Sequence, residues 1–260
     1  MKEWWSELSK LQQRLIKEIQ QNHHVKIVER NQWCIPIRTL EVTYEPIRRS
    51  TMDVLMTMLL ISMQEADFKD AKELSELLLV DPLFIEDLVS IMMRVRLIEK
   101  VDDFYRLTSK GELQLERGVF EEELELESAS LLYSPCHEAF LTGDLESIEE
   151  FDELPPLYRY VDEEAERKDT FDDDEIIVAL TKEGNEEDDI PSVSQTVIST
   201  ITSSKATQIN DIPCFEFIVY DKEQDIYYAR VWNTLLAHWD EVLEQQLNEK
   251  ERLKWREANH

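Results

Sequence analysis

Glycine is nearly missing from this sequence, with 4 in 260 residues. Phosphate-cradling loops need several glycines at fixed spacing. No Walker, dinucleotide-binding, GxSxG or HExxH pattern occurs. Cysteine is scarce too. Cys34, Cys136 and Cys214 are odd in number and far apart, a pattern that fits neither a disulfide framework nor a zinc ribbon. No run of about 18 uncharged apolar residues exists, so no transmembrane helix is expected. The first residues mix Lys2, Glu3, Lys10, Arg14, Lys17 and Glu18 with apolar side chains, unlike the uncharged core of a signal peptide. These absences predict a reduced, cytoplasmic chain with no membrane contact, no cofactor and no resident metal.

Basic residues are also in short supply: 28 Lys+Arg stand against 57 Asp+Glu, a net charge of −29. The deficit is local. Residues 121–190 hold 4 basic and 26 acidic groups, a net of −22. What is plentiful is apolar material, at 42% of residues, enough for a real core. The length predicts one large domain or two small ones.

Trp4, Leu8, Leu11, Leu15 and Ile19 recur every three or four residues, predicting an amphipathic helix over residues 3–22. It would pack on its own domain, or bind a partner or a second copy of the chain. Alternation in Val25–Tyr44 predicts β structure, with a turn at Arg30–Gln32 and an edge or bulge at Pro36. Residues 50–67 are apolar over most of a helical circumference and predict a central helix. A second helix is expected over Ala71–Val80. A third begins at Asp81-Pro82, with Asp capping and Pro in the first turn, and runs to Arg96. Two short strands, Leu97–Val101 and Phe104–Thr108, would turn at Asp102-Asp103, and Ser109–Gly111 would end the unit.

The stretches Lys72–Leu78, Leu88–Lys100 and Tyr105–Gly111 resemble a winged helix-turn-helix domain. The resemblance covers residues ~50–112 and implies a small domain that binds DNA or protein. On its third helix, Phe84, Leu88, Met92 and Val95 are placed on the buried face. That leaves Glu86, Asp87, Ser90, Met93 and Arg94 outward. Two carboxylates on a reading face would repel phosphate, as would Asp102-Asp103 at the wing tip, so a protein partner is favoured over DNA. For the DNA-binding alternative, a transcriptional regulator, the contacts would be Arg48, Arg49, Arg94, Arg96, Lys100 and Arg106.

Farther along, residues 119–133 fit a strand or a helix, and residues 144–175, rich in Asp, Glu and Pro, predict a loop or linker. Ile176–Leu180 reads as a strand and Ser192–Ser204 as helix or coil. Cys214–Tyr220 and Ile226–Trp232 alternate as a hairpin, followed by a long helix over Asn233–Ala258 that Asn233 would cap. The acidic run Asp172, Asp173, Asp174 and Glu175 would meet a basic partner. With Lys182 it offers the weak alternative of a metal-dependent nuclease.

The sequence therefore predicts an α+β protein. Residues 1–48 would form a helix and hairpin, 49–120 a winged-helix domain, 121–175 an acidic linker, and 176–260 a C-terminal α+β unit. Its expected role is a non-catalytic interaction subunit or adaptor of a DNA-processing or defence complex. The acidic segment would hold a basic protein, with a homodimer through the N- or C-terminal helix as a further expectation.

Overall fold

A computed structural model describes residues 4–148, 154–161, 170–185 and 194–258. The helices are α1 (Trp4–Ile19), α2 (Val54–Glu65), α3 (Ala71–Leu78), α4 (Pro82–Arg94), α5 (Ser109–Arg117), α6 (Asp173–Asn185) and α7 (Glu241–Ala258). The strands are β1 (Val25–Thr51), β2 (Ile98–Val101), β3 (Phe104–Leu107), β4 (Val119–Glu123), β5 (Glu127–Ser134), β6 (Ala139–Leu141), β7 (Ser194–Asp221), β8 (Ile226–Asn233) and β9 (His238–Trp239).

Two strands carry the architecture: β1 has 27 residues and β7 has 28. A seven-stranded sheet runs in the order β6-β5-β1-β7-β8-β9, with β4 also paired to β1. The chain divides into two compact units made of interleaved segments. Unit 1 is residues 1–42, 129–175 and 204–260, and unit 2 is residues 43–128 and 176–203.

In unit 1, β7 alternates cleanly. Phe215, Phe217 and Val219 pack under α1 with Leu11, Leu15, Ile16 and Ile19. Cys214 and Ile218 face the other way, into a core with Trp33, Ile35, Ile37, Leu243, Leu247 and Trp255. Helices thus cover both faces of this part of the sheet, and Trp33–Leu40 of β1 is buried throughout. Phe215 and Phe217 are among the largest fully buried side chains, each contributing on the order of 2–3 kcal/mol.

Unit 2 packs α2, α3, α4 and the β2–β3 hairpin around Met56, Leu59, Leu60, Met63, Leu74, Ile85, Val89, Met92 and Leu97. Thr108 then caps α5, accepting from the Gly111 amide at 3.1 Å. A Cβ on Gly111 would lie 2.0 Å from the Leu97 carbonyl oxygen, so only glycine fits there. β4 returns along β1 in antiparallel register, from Ile47 opposite Glu123 to Thr51 opposite Val119.

This overturns the expected fold class. The chain is a mixed α/β protein organised on one large antiparallel sheet, not a small winged-helix domain with β elements at its flanks. The three helices and the hairpin do follow one another in the expected order. However, Ser109–Gly111 opens a helix instead of ending the unit, and β4 ties the segment to the main sheet.

Other expectations also change. Arg30–Gln32 lies within one continuous strand, not a turn, and Pro36 sits in its buried middle. Ile176–Leu180 is helical, and the Ser/Thr-rich run from Ser194 is strand. Within the acidic segment 121–175, the end of β4, all of β5 and β6 and the start of α6 are built structure, while residues 149–153 and 162–169 of the expected linker lie outside the described residues. Asp240, not Asn233, caps the C-terminal helix, and the Asn233 Oδ1 instead accepts from Leu235 and Leu236 in the preceding turn.

Candidate interaction surface

The α3–α4 corner is fixed by its caps. Asp70 accepts from the Lys72 and Glu73 amides at 3.0 Å each, and Glu73 reaches back to the Lys69 amide at 2.8 Å. α3 ends at Leu79, in the left-handed conformation with φ 57°. The Ser75 hydroxyl donates to the Val80 carbonyl at 2.6 Å. Asp81 caps α4 by accepting from Leu83 at 2.9 Å, with Pro82 at the first helical position.

On this rigid corner four large apolar side chains face solvent. Leu77 is 56% exposed, Leu79 91%, Leu83 70% and Phe84 67%. Together they expose on the order of several hundred Å² of apolar surface within eight consecutive residues of one helical corner. Leu79 carries two costs at once, because a left-handed leucine costs about 1–2 kcal/mol relative to an ordinary conformation and its side chain is in water. Leu79→Gly is expected to raise stability by about 0.5 kcal/mol, since relief of that strain exceeds the added chain entropy. A urea midpoint at or above the wild-type value checks it. A clear loss would mean that Leu79 packs usefully.

Sequence spacing assigns none of these four residues to a surface. Phe84 was expected inside α4, but the buried positions are Ile85, Val89 and Met92. The core stripe is rotated by one residue at its N-terminal end, and Phe84 is pushed out. Glu86, Asp87, Ser90, Met93 and Arg94 are exposed, as expected. On α2, apolar over most of its circumference, Val54, Met58 and Ile61 also face solvent.

The cations expected to contact phosphate are largely neutralised by neighbours. Arg48 lies 3.5 Å from Glu122, Arg49 2.7 Å from Glu121, Arg94 3.7 Å from Glu122 and Arg106 2.5 Å from Asp67. The Lys100 ammonium sits 5.1 Å from the Tyr105 ring centroid. Arg96 helps hold the Glu123 carboxyl below its usual range, behind the larger effect of the hydrogen bond and charge of Lys110. All six side chains remain exposed, four of them within ion-pair distance of a carboxylate.

Asp173, Asp174 and Glu175 lie in the first turn of α6, where carboxylates suit the helix dipole, and Asp172 precedes them. All four are exposed. No group of three or more metal-ligating side chains gathers among the described residues. The strand that a nuclease reading required is absent, because Ile176–Leu180 is helix.

One constellation was not foreseen. In unit 1 the Ser134 hydroxyl lies 2.7 Å from His137 Nδ1, and His137 Nε2 lies 2.9 Å from Asp240 Oδ2. These are the groups of a hydrolytic triad, but Ser134 is fully buried and offers no face to a substrate. The Asn233 amide and the Leu243 N–H complete the carboxylate's shell at 2.8 and 3.1 Å. Burial alone would raise the Asp240 pKa. The His137, Asn233 and Leu243 hydrogen bonds outweigh it and hold the carboxyl below its usual value. The arrangement pins the start of α7 to the β5–β6 turn. Nearby, burial pushes the Cys34 thiol up to about 12 and the Cys214 thiol well above its normal value, so neither is poised as a nucleophile.

No protein-family model matches the chain, and neither a curated protein nor a solved structure resembles it significantly. No described helix is long and apolar enough to cross a membrane.

Proposed function

We propose that this chain is a non-catalytic interaction subunit that holds a protein partner on the α3–α4 corner of unit 2. The carrying observation is the exposed cluster Leu77, Leu79, Leu83 and Phe84 on a turn whose backbone is fully capped. A folded chain gains nothing from holding these side chains in water, whereas a partner that covers them removes that surface from solvent. The pairing of Arg48, Arg49, Arg94 and Arg106 with carboxylates supports a protein over a nucleic acid. The exposed acidic residues Asp172, Asp173, Asp174 and Glu175 would attract a basic partner at long range.

Affinity capture from the native host tests this reading, with the wild type beside a Leu83→Gln/Phe84→Gln variant. A stoichiometric partner retained by the first and lost by the second is expected. Equal recovery by both would contradict the assigned surface. Duplex DNA at about 150 mM salt is expected to show no saturable binding. Tight binding that is lost on Arg94→Glu and Arg106→Glu would favour the regulator reading instead.

A further inference from the structure

The α3–α4 corner also constrains what its partner looks like. Three of its backbone amides are used internally: those of Leu79 and Val80 donate to the Ser75 carbonyl and that of Leu83 to Asp81. No free edge is offered for strand addition, so recognition falls to side chains, as when an amphipathic helix lays its apolar face on a partner. The rim is mostly acidic. From Lys72 to Arg94 the two helices and their turn carry Glu73, Glu76, Asp81, Glu86 and Asp87 against Lys72, which lies 3.9 Å from Glu76, and Arg94. All five carboxylates are exposed, and they flank the apolar cluster on both helices. An acidic helix or a nucleic acid would be repelled there.

The chain's own amphipathic helix does not fill the place. Leu11, Leu15, Ile16 and Ile19 of α1 are already packed on the sheet of unit 1. We infer that the Leu77–Leu79–Leu83–Phe84 cluster docks a basic amphipathic helix of the partner, with apolar residues on one face and Lys or Arg on the other. This rests on the interaction-subunit reading above. It adds that leucine-sized side chains from the partner cover the cluster while its cations meet Glu86 and Asp87.

The test uses the full chain and a synthetic 20-residue helical peptide of leucines on one face and lysines on the other, followed by fluorescence anisotropy. Saturable binding that weakens as salt rises is expected. Leu83→Gln/Phe84→Gln should lower affinity at least tenfold. Glu86→Gln/Asp87→Gln should lower it about threefold at low salt and flatten the salt dependence. All four positions are exposed, so both variants should fold. The inference is overturned if a scrambled peptide of the same composition binds equally well. It also fails if an acidic amphipathic peptide binds equally, if the Leu83/Phe84 variant binds as the wild type does, or if the cluster instead mediates self-association. A host partner captured through residues 77–84 without peptide binding would overturn this inference alone. Peptide binding without any host partner would overturn the interaction-subunit reading alone.

Discussion

Replacing Arg159 by methionine is expected to destabilise unit 1 by about 3 kcal/mol. Arg159 clamps Glu216 bidentately, with Nη1 2.7 Å from Oε2 and Nη2 2.9 Å from Oε1. Glu216 points from β7 into the core and is 1% exposed. Its other described contact is the Trp33 indole N–H, donating at 2.5 Å. Arg159 also meets Glu251 of α7, so one guanidinium ties β7, α7 and the 154–161 segment together. Burial works against its charge, but the two carboxylates outweigh this and hold its pKa far above the ordinary arginine value. Without it, Glu216 becomes a buried carboxylate with one neutral donor, which is the expensive half of a broken buried pair. Arg159 is partly exposed, so water reaching the gap sets the loss at the lower end of the usual range. Denaturation followed by tryptophan fluorescence reads unit 1 alone, because all six tryptophans lie in its segments. Adding Glu216→Gln should recover a large part of the loss. A midpoint unchanged by Arg159→Met would mean that the clamp carries no net energy.

His137→Phe is expected to cost about 3 kcal/mol by the same logic. Asp240, 2% exposed, would keep the Asn233 amide and the Leu243 N–H but lose the imidazole. The Ser134 hydroxyl would lose its partner as well. The pH dependence has a definite sign. A carboxyl whose native pKa lies below its unfolded value of about 3.9 stabilises the fold above that value. The contribution is lost as pH falls through the native pKa. Wild-type stability should therefore fall below about pH 4, and Asp240→Asn should remove part of that acid limb while lowering the neutral plateau. An acid limb identical in the two proteins would contradict the role given to Asp240.

Local elements were legible in the sequence; long-range pairing was not. α1 follows from its 3–4 spacing, and the β2–β3 and β7–β8 hairpins follow from alternation across short polar turns. β1 defeated the same reasoning. Arg30–Gln32 looks like a turn, but it lies inside a 27-residue strand of the large sheet, a tertiary effect that no local propensity carries. Ile176–Leu180 has the apolar density of a strand and also fits a helix, a known ambiguity of short apolar runs. The acidic residues around it favour the helix through its dipole.

The polar neighbours of the candidate surface were legible, but its four apolar residues were not. Glu86, Asp87 and Met93 fall outward on any plausible helical wheel. Phe84 is large and aromatic and was assigned to the core, but it lies near the start of α4, next to the capped corner, where the core stripe has not yet begun. The His137–Asp240, Arg159–Glu216 and Arg159–Glu251 contacts join residues 103, 57 and 92 positions apart, and no spacing rule reports them.

Hydrogen exchange on the complex captured from the native host tests the central claim most directly. The account predicts slowed exchange concentrated in residues 71–94, strongest around the α3–α4 corner, with unit 1 unchanged. Protection confined to unit 1, or a captured species that is nucleic acid and protects Arg48, Arg49 and the β2–β3 hairpin, would contradict it.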